Sequence, residues 1–313
     1  MILNKKTNIN DTIALYGSPR SGTTWFMEIL STIPGYKYLF EPINPKSVPE
    51  AFEIGFRSKT YMSPEEEWAE GEEFLRRVFT GQISSSVPFY KFKPKMFLKQ
   101  LFGKKIIVKT IRLNRMLPWI VKRFQLRCNI YMIRHPCSVI ASQLKTNIYG
   151  YQQDQPPYKS IFPTAKRVLN EASNIKEIDD DILNKIKKIE TKEEILAVAW
   201  CLDNYVPLNS PKPHKWITLT YEKAFTSPDE IYHVFNEINE PISEKTINKI
   251  NVPSMLTKKE DTALIKKPEK QLSKWKQQLS KKQIERILKI VSYFNLSFYN
   301  ENIEPDYDHE LLK

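Results

Sequence analysis

Apolar positions along the chain fall into two rhythms. Short apolar runs recur at Ile13–Tyr16, Tyr36–Phe40, Lys104–Thr110, Cys128–Ile133 and Trp216–Tyr221. Runs of this length, β-branched in Lys104–Thr110, predict strands of a parallel sheet covered on both faces. Between them the spacing becomes helical. It does so at Trp25, Phe26, Ile29 and Leu30, over Glu65–Phe79 with an acidic start, and over Leu117–Phe124. It recurs over Ser138–Lys145 (Val139, Ile140, Leu144), Glu193–Tyr205 (Ile195, Leu196, Ala199, Leu202) and Pro228–Ile238. The last helix opens at Ser280 with Gln283 three residues on, a capping box, and presents Ile284, Ile287, Leu288 and Val291. Pro207, Pro211 and Pro213 are read as closing the Glu193 helix.

Strand followed by helix over most of the length predicts an α/β fold, a doubly wound parallel sheet flanked by helices. Two stretches interrupt the alternation. Residues 43–103 are mixed, with a loop-like part at Ser84–Lys95. Residues 149–192 begin as a polar loop and continue as a highly charged piece, Lys166–Lys192, with Ile178, Ile182, Ile186 and Ile189 on one helical face. The expectation is one domain, residues 1–313, in which these two stretches are insert or acceptor-side segments. Residues 253–271 read as a basic loop.

The segment from Ile13 to Leu30 is the most informative. A strand runs into a loop punctuated by Gly17, Pro19 and Gly22, and a helix starts at Thr23. The first amides of a helix lack intrahelical partners and sit at the positive end of its dipole, so this arrangement is an anion site. Arg20 adds a cation, and Ser21, Thr23 and Thr24 add hydroxyl donors. Gly17 and Gly22 have the spacing of a nucleoside-triphosphate loop, but Thr23 stands where that loop needs Lys. The fold is thus P-loop-like, whereas an ordinary kinase or ATPase is disfavoured.

Composition narrows the picture further. Lys and Arg number 48 against 36 Asp and Glu, a formal charge of +12, which favours anionic partners. The basic residues are dispersed and no nucleic-acid motif appears, so nucleic acid is not expected. No apolar run of about eighteen residues is present, and none is expected to cross a membrane. The polar start, Met1–Thr12, has no signal-peptide core. Cys128, Cys137 and Cys201 show no C-x-x-C spacing and read as free thiols of a reducing, cytoplasmic compartment, with no metal site.

Polar residues gather at the predicted strand ends: the loop after the first strand, Glu41, Lys109 and Arg134. In a doubly wound sheet those ends share one crevice. Pro19-Arg-Ser-Gly-Thr-Thr-Trp25 resembles the 5′-phosphosulfate loop of sulfotransferases that use 3′-phosphoadenosine 5′-phosphosulfate (PAPS). Arg134 with Ser142 eight residues on resembles the 3′-phosphate motif of the same family. Val-Lys109-Thr resembles its strand-end lysine. Phe-Glu41-Pro resembles the Glu-Pro element of its carbohydrate-type members, and Thr-Tyr221-Glu222 its adenosine-side Tyr-Glu-Asp element, with Lys223 in place of the Asp. Ser273-Lys-Trp275 is similar to its C-terminal tryptophan segment, with Lys266 and Lys267 aligned loosely to the 3′-phosphate.

The resemblance, spanning about residues 12–280, implies sulfuryl transfer from PAPS to an acceptor hydroxyl, with 3′-phosphoadenosine 5′-phosphate (PAP) as product and no metal. It implies Glu41 as base, its pKa raised by desolvation, with Arg20 and Lys109 stabilising the sulfuryl oxygens and the leaving phosphate. Trp25 and Tyr221 would lie by the adenosine. Phenol and steroid sulfotransferases carry a catalytic His two residues after the lysine, where this chain has Ile111. His135 is read as structural. The acceptor class favoured is a carbohydrate or glycolipid; a protein tyrosine, a P-loop kinase or NTPase, and a non-catalytic nucleotide-binding protein stay open, as does the oligomeric state.

Overall fold

The computed structural model describes residues 7–83, 103–149, 151, 153, 155–157, 159–255 and 268–312. Five strands, β1 (Thr12–Gly17), β2 (Tyr36–Phe40), β3 (Lys105–Thr110), β4 (Cys128–Ile133) and β5 (Ile217–Thr220), form one sheet in the order β2-β3-β1-β4-β5. All four pairings are parallel. The five expected strands are thus present, and the fold is the expected α/β one. Strand β1 is central. The chain runs to one side of it for β2 and β3 and to the other for β4 and β5, and the crevice at such a reversal is where ligands bind.

The apolar runs lack alternation because each face of the sheet is covered. Ala14, Tyr16, Ile106, Val108, Tyr131 and Ile133 face one core. Ile13, Leu15, Ile107, Ile130, Met132 and Leu219 face the other. Helices in chain order are α1 (Thr23–Leu30), α2 (Pro49–Glu53), α3 (Ala69–Phe79), α4 (Leu117–Arg123), α5 (Pro136–Thr146), α6 (Ala165–Ser173), α7 (Asp180–Ile186) and α8 (Lys192–Leu208). They continue with α9 (Tyr221–Thr226), α10 (Pro228–Glu237), α11 (Glu244–Ile250), α12 (Pro268–Leu272), α13 (Trp275–Gln278) and α14 (Lys281–Tyr293). Helix α1 is buried along its whole length. Its acid, Glu28, is accounted for by Lys249 and the Met255 amide.

Several expectations need correction. Helix α3 starts at Ala69, not Glu65, because the carbonyls before it are claimed elsewhere: Trp119 donates to Glu66 O, and Arg123 to Pro64 O and Glu66 O. Pro207 does not close α8; it sits inside the last turn, where its missing N–H costs one bond. Helices α9 and α11 lie where none was expected, and Pro268–Leu272 is helical within the basic stretch expected as loop. The charged insert is two helices, α6 and α7; Ile182 and Ile186 lie on α7, whereas Ile178 and Ile189, expected on the same helical face, lie in the non-helical chain on either side of it, and all four are buried in the main core. The capping box of α14 is formed as its sequence suggested. No helix among the described residues is long and apolar enough to cross a membrane. Ser84–Lys95 lies outside the described residues.

Candidate active site

A cavity of about 420 Å³ opens at the carboxyl ends of the strands. Arg20, Gly22, Thr23, Thr24 and Trp25 line it after β1, Glu41 after β2 and Lys109 at the end of β3. Arg134 and Ser142 line it after β4, and Tyr221 after β5. The candidates named from sequence converge on one hollow, with two exceptions. Ser21 is fully buried and does not line the cavity, because its side chain folds back over Gly17, where a Cβ would meet Ser21 Oγ at 2.6 Å. Lys266 and Lys267 lie outside the described residues.

The loop between β1 and α1 is held by backbone geometry. Gly22 is the N-cap of α1 at φ 97°, with no side-chain cap on the first turn. A Cβ there would meet the Tyr221 ring at 2.3 Å, so position 22 excludes side chains on two grounds. Asn114 Oδ1 accepts from Gly17 N at 3.1 Å, and Gln143 donates to Pro19 O at 3.2 Å. Arg20 and Glu41 both adopt left-handed backbone, φ 73° and 51°. Non-glycine residues adopt this conformation at a cost that functional sites commonly carry.

The two candidate anion sites adjoin. Arg20 Nε donates to Ser142 Oγ at 2.9 Å, and Arg134 Nη1 donates to Arg20 O at 3.3 Å. The Arg134 guanidinium lies 4.1 Å from the Tyr221 ring centre, and its buried Nε has no hydrogen-bond partner among the described residues. Tyr221 stacks on Phe225 and meets the Trp25 ring edge-on at 5.7 Å. Trp25 is both a core residue and a wall of the cavity, its Nε1 donating to Ile250 O.

Glu41 is buried between two cations. Lys109 Nζ reaches one carboxylate oxygen at 2.6 Å, Arg112 Nη1 the other at 2.6 Å, and the Ile111 amide is at 3.4 Å. Burial pushes this carboxyl up, but Lys109 and then Arg112 pull harder, and its pKa lies below the usual range. The upward shift expected for a base is therefore absent. Burial pushes the Lys109 ammonium down, Glu41 works against it, and Arg112 and Arg20 add to the depression.

Sequence reasoning missed Arg112 and Asn114. The available signal was the run Lys109-Thr-Ile-Arg-Leu-Asn-Arg115, dense in polar groups directly after a β-branched strand. It also missed Lys145, Gln271 and Lys274, which line the same cavity.

His135 is a framework residue. Its Nδ1 accepts from Cys137 N and its Nε2 donates to Asn300 O at 2.9 Å, while its ring stacks on Trp275 at 4.5 Å. Burial lowers its pKa to about 4. Glu222 accepts from the His135 amide and from Tyr299, fixing the start of α5 and with it Arg134. Among the described residues, no group of three or more His, Cys, Asp or Glu could hold a metal ion. The three cysteines are free thiols.

No protein-family model matches the chain, and no curated protein matches it in sequence. Among solved structures, the chain is similar to a sulfotransferase domain from the curacin biosynthetic pathway, at 16% identity and a TM-score of 0.46 over 90% of this chain and 96% of that one. It is also similar to mouse sulfotransferase SULT7A1 complexed with PAP, at 12% identity and a TM-score of 0.42 over 94% and 88%. A third is retinol dehydratase in complex with androsterone and PAP, at 13% identity and a TM-score of 0.39 over 94% and 82%.

Proposed function

We propose that the protein is a PAPS-dependent O-sulfotransferase. The observation that carries this reading is a single cavity with two adjoining cationic ends, the Arg20–Thr24 loop and the Arg134–Ser142 pair. A nucleotide phosphorylated at both its 3′ and 5′ positions needs such a pair of grips. The α1 amides, Thr23 and Thr24 would hold the 5′-phosphosulfate. Arg134 and Ser142 would hold the 3′-phosphate, since an Arg fork suits phosphate oxygens. Trp25 and Tyr221 would flank the adenosine.

In the proposed transfer the acceptor oxygen attacks sulfur as the bond from sulfur to the bridging phosphate oxygen breaks. PAP leaves with that oxygen, and the acceptor proton passes to Glu41. A carboxylate held at a low pKa is ionised at any working pH but weakly basic. Proton transfer therefore accompanies S–O bond formation, once the attacking oxygen has become acidic. Arg20 and Lys109 would stabilise charge on the sulfuryl and phosphate oxygens, by the positioning and electrostatics that serve phosphoryl transfer.

For the acceptor we propose a carbohydrate hydroxyl. Ile111 stands where phenol and steroid enzymes place a His, and the neutral polar groups Asn44, Thr146, Asn147 and Ser160 line the same cavity. The free thiols fit a reducing compartment such as the cytoplasm. The test is transfer of labelled sulfate from PAPS to a panel of sugars, glycolipids and tyrosine peptides. Labelled sugar supports the full reading, labelled peptide alone overturns the carbohydrate assignment, and no labelled product overturns the activity.

A further inference from the structure

Lys59 has no part in the chemistry above, yet its side chain is 1% exposed. Its ammonium donates to the Ile111 carbonyl at 2.8 Å and to the Asp203 carboxylate on α8. Arg115 approaches the same carboxylate, Nε at 3.2 Å and Nη2 at 3.1 Å from Oδ1, and its Nη1 reaches Glu171 of α6 at 2.9 Å. Burial pushes the Lys59 ammonium down against the opposing pull of Asp203.

This cluster adjoins the cavity through Ile111, which lines it and whose carbonyl accepts from Lys59. Between the last residue of β3 and the 3₁₀ turn at Asn114–Met116 the chain has neither strand nor helix geometry. It is held mainly by side chains instead. Lys109 and Arg112 bind Glu41, the Ile111 carbonyl binds Lys59, Asn114 takes the Gly17 amide, and Arg115 binds Asp203. Burying two cations on one carboxylate is a poor source of net stability, because desolvation offsets most of the attraction. What it does supply is a fixed place for the Ile111 carbonyl, and so for the side chains on either side of it.

We infer that Lys59 and Asp203 are positioning residues that hold the Lys109–Arg112 segment in register with Glu41 and the anion loop. The inference rests on the sulfuryl-transfer reading for its kinetic consequence only. Lys59→Met keeps the length and apolar stem of the side chain, removes the donor to Ile111 O, and leaves Asp203 paired with Arg115. A misplacement of about 1 Å at a reacting centre lowers rate up to about 100-fold, so kcat should fall about 10- to 100-fold. PAP affinity should change far less than kcat, because Arg134 and Ser142 keep their partners and the anion loop meets the loosened segment at Gly17, through Asn114. Hydrogen exchange should accelerate in peptides covering residues 109–116 and stay at the wild-type rate over residues 23–30 and 128–142.

Asp203→Asn should give the same pattern and serves as the test if Lys59→Met does not fold. Wild-type kcat in a folded variant, unchanged exchange over residues 109–116, or a uniform rise in exchange together with lost PAP affinity would each overturn the inference. If the wild-type protein transfers no sulfate, that result counts against the sulfuryl-transfer reading, and the local exchange pattern still decides the positioning role.

Discussion

Replacing Arg112 by Met separates two roles that Glu41 could fill. Arg112 and Glu41 are 2.6 Å apart, with side chains 3% and 6% exposed, so neither charge has water to fall back on. Removing one member of a buried pair typically costs about 3–5 kcal/mol. Here Lys109 remains on the carboxylate, so the loss should fall at the low end, about 3 kcal/mol. For a chain of this size that lowers Tm by roughly 6 °C, at about 2 °C per kcal/mol. The catalytic consequence has a sign of its own. Arg112 helps to hold the Glu41 carboxyl low, so its removal raises the Glu41 pKa. If ionised Glu41 takes the acceptor proton, the acid limb of the kcat/KM profile moves to higher pH in Arg112→Met. Calorimetry and a pH–rate series on one preparation measure both effects. A lowered Tm with an unmoved acid limb would refute the base assignment and leave Glu41 as the group that orients Lys109.

Three further outcomes follow from the geometry. Arg134→Ala should weaken PAP binding by about 2 kcal/mol or more, the worth of a charge-assisted bond, and barely affect adenosine 5′-phosphosulfate; equal losses in calorimetric titrations would remove Arg134 from the 3′ end. The folded pKa of His135 is about 4 against 6.5 ordinarily. The unfolded chain therefore binds the extra proton first, and stability is lost as pH falls from about 6.5 toward 4, up to about 3 kcal/mol. In His135→Asn, denaturant titrations across that window should show a flatter dependence, and an identical slope would contradict it. Gly22→Ala should lose roughly 1–3 kcal/mol from backbone strain alone, given φ 97°. It should also lose PAP binding, because the new methyl displaces Tyr221 from beneath Arg134; a folded Gly22→Ala with native PAP affinity would show that the loop tolerates the change.

The parts legible in the sequence are those that local pattern determines. Ile13–Tyr16 reads as a two-sided buried strand because each face of the sheet meets its own core. The Arg20–Thr24 loop reads as an anion site because strand, glycine and helix start are contiguous. What stayed hidden depends on partners far along the chain. Arg112 acquires its meaning from a carboxylate 71 residues away, and Lys59 from one 144 residues away. The stretch before Ala69 carries helical spacing, but Trp119 and Arg123 take the carbonyls of Pro64 and Glu66, which no local window reveals. Ser21 shows the converse. It belongs to a matching motif, yet local folding turns its hydroxyl away from the cavity.

The most direct test is a calorimetric titration of the wild-type protein with PAP beside one with adenosine 5′-phosphate, which lacks the 3′-phosphate. Arg134 and Ser142 should make PAP bind at least tenfold more tightly, about 1.4 kcal/mol, and should raise Tm with PAP concentration. Equal affinities for the two nucleotides, or no heat from either, would contradict a cavity built to grip a nucleotide by both ends.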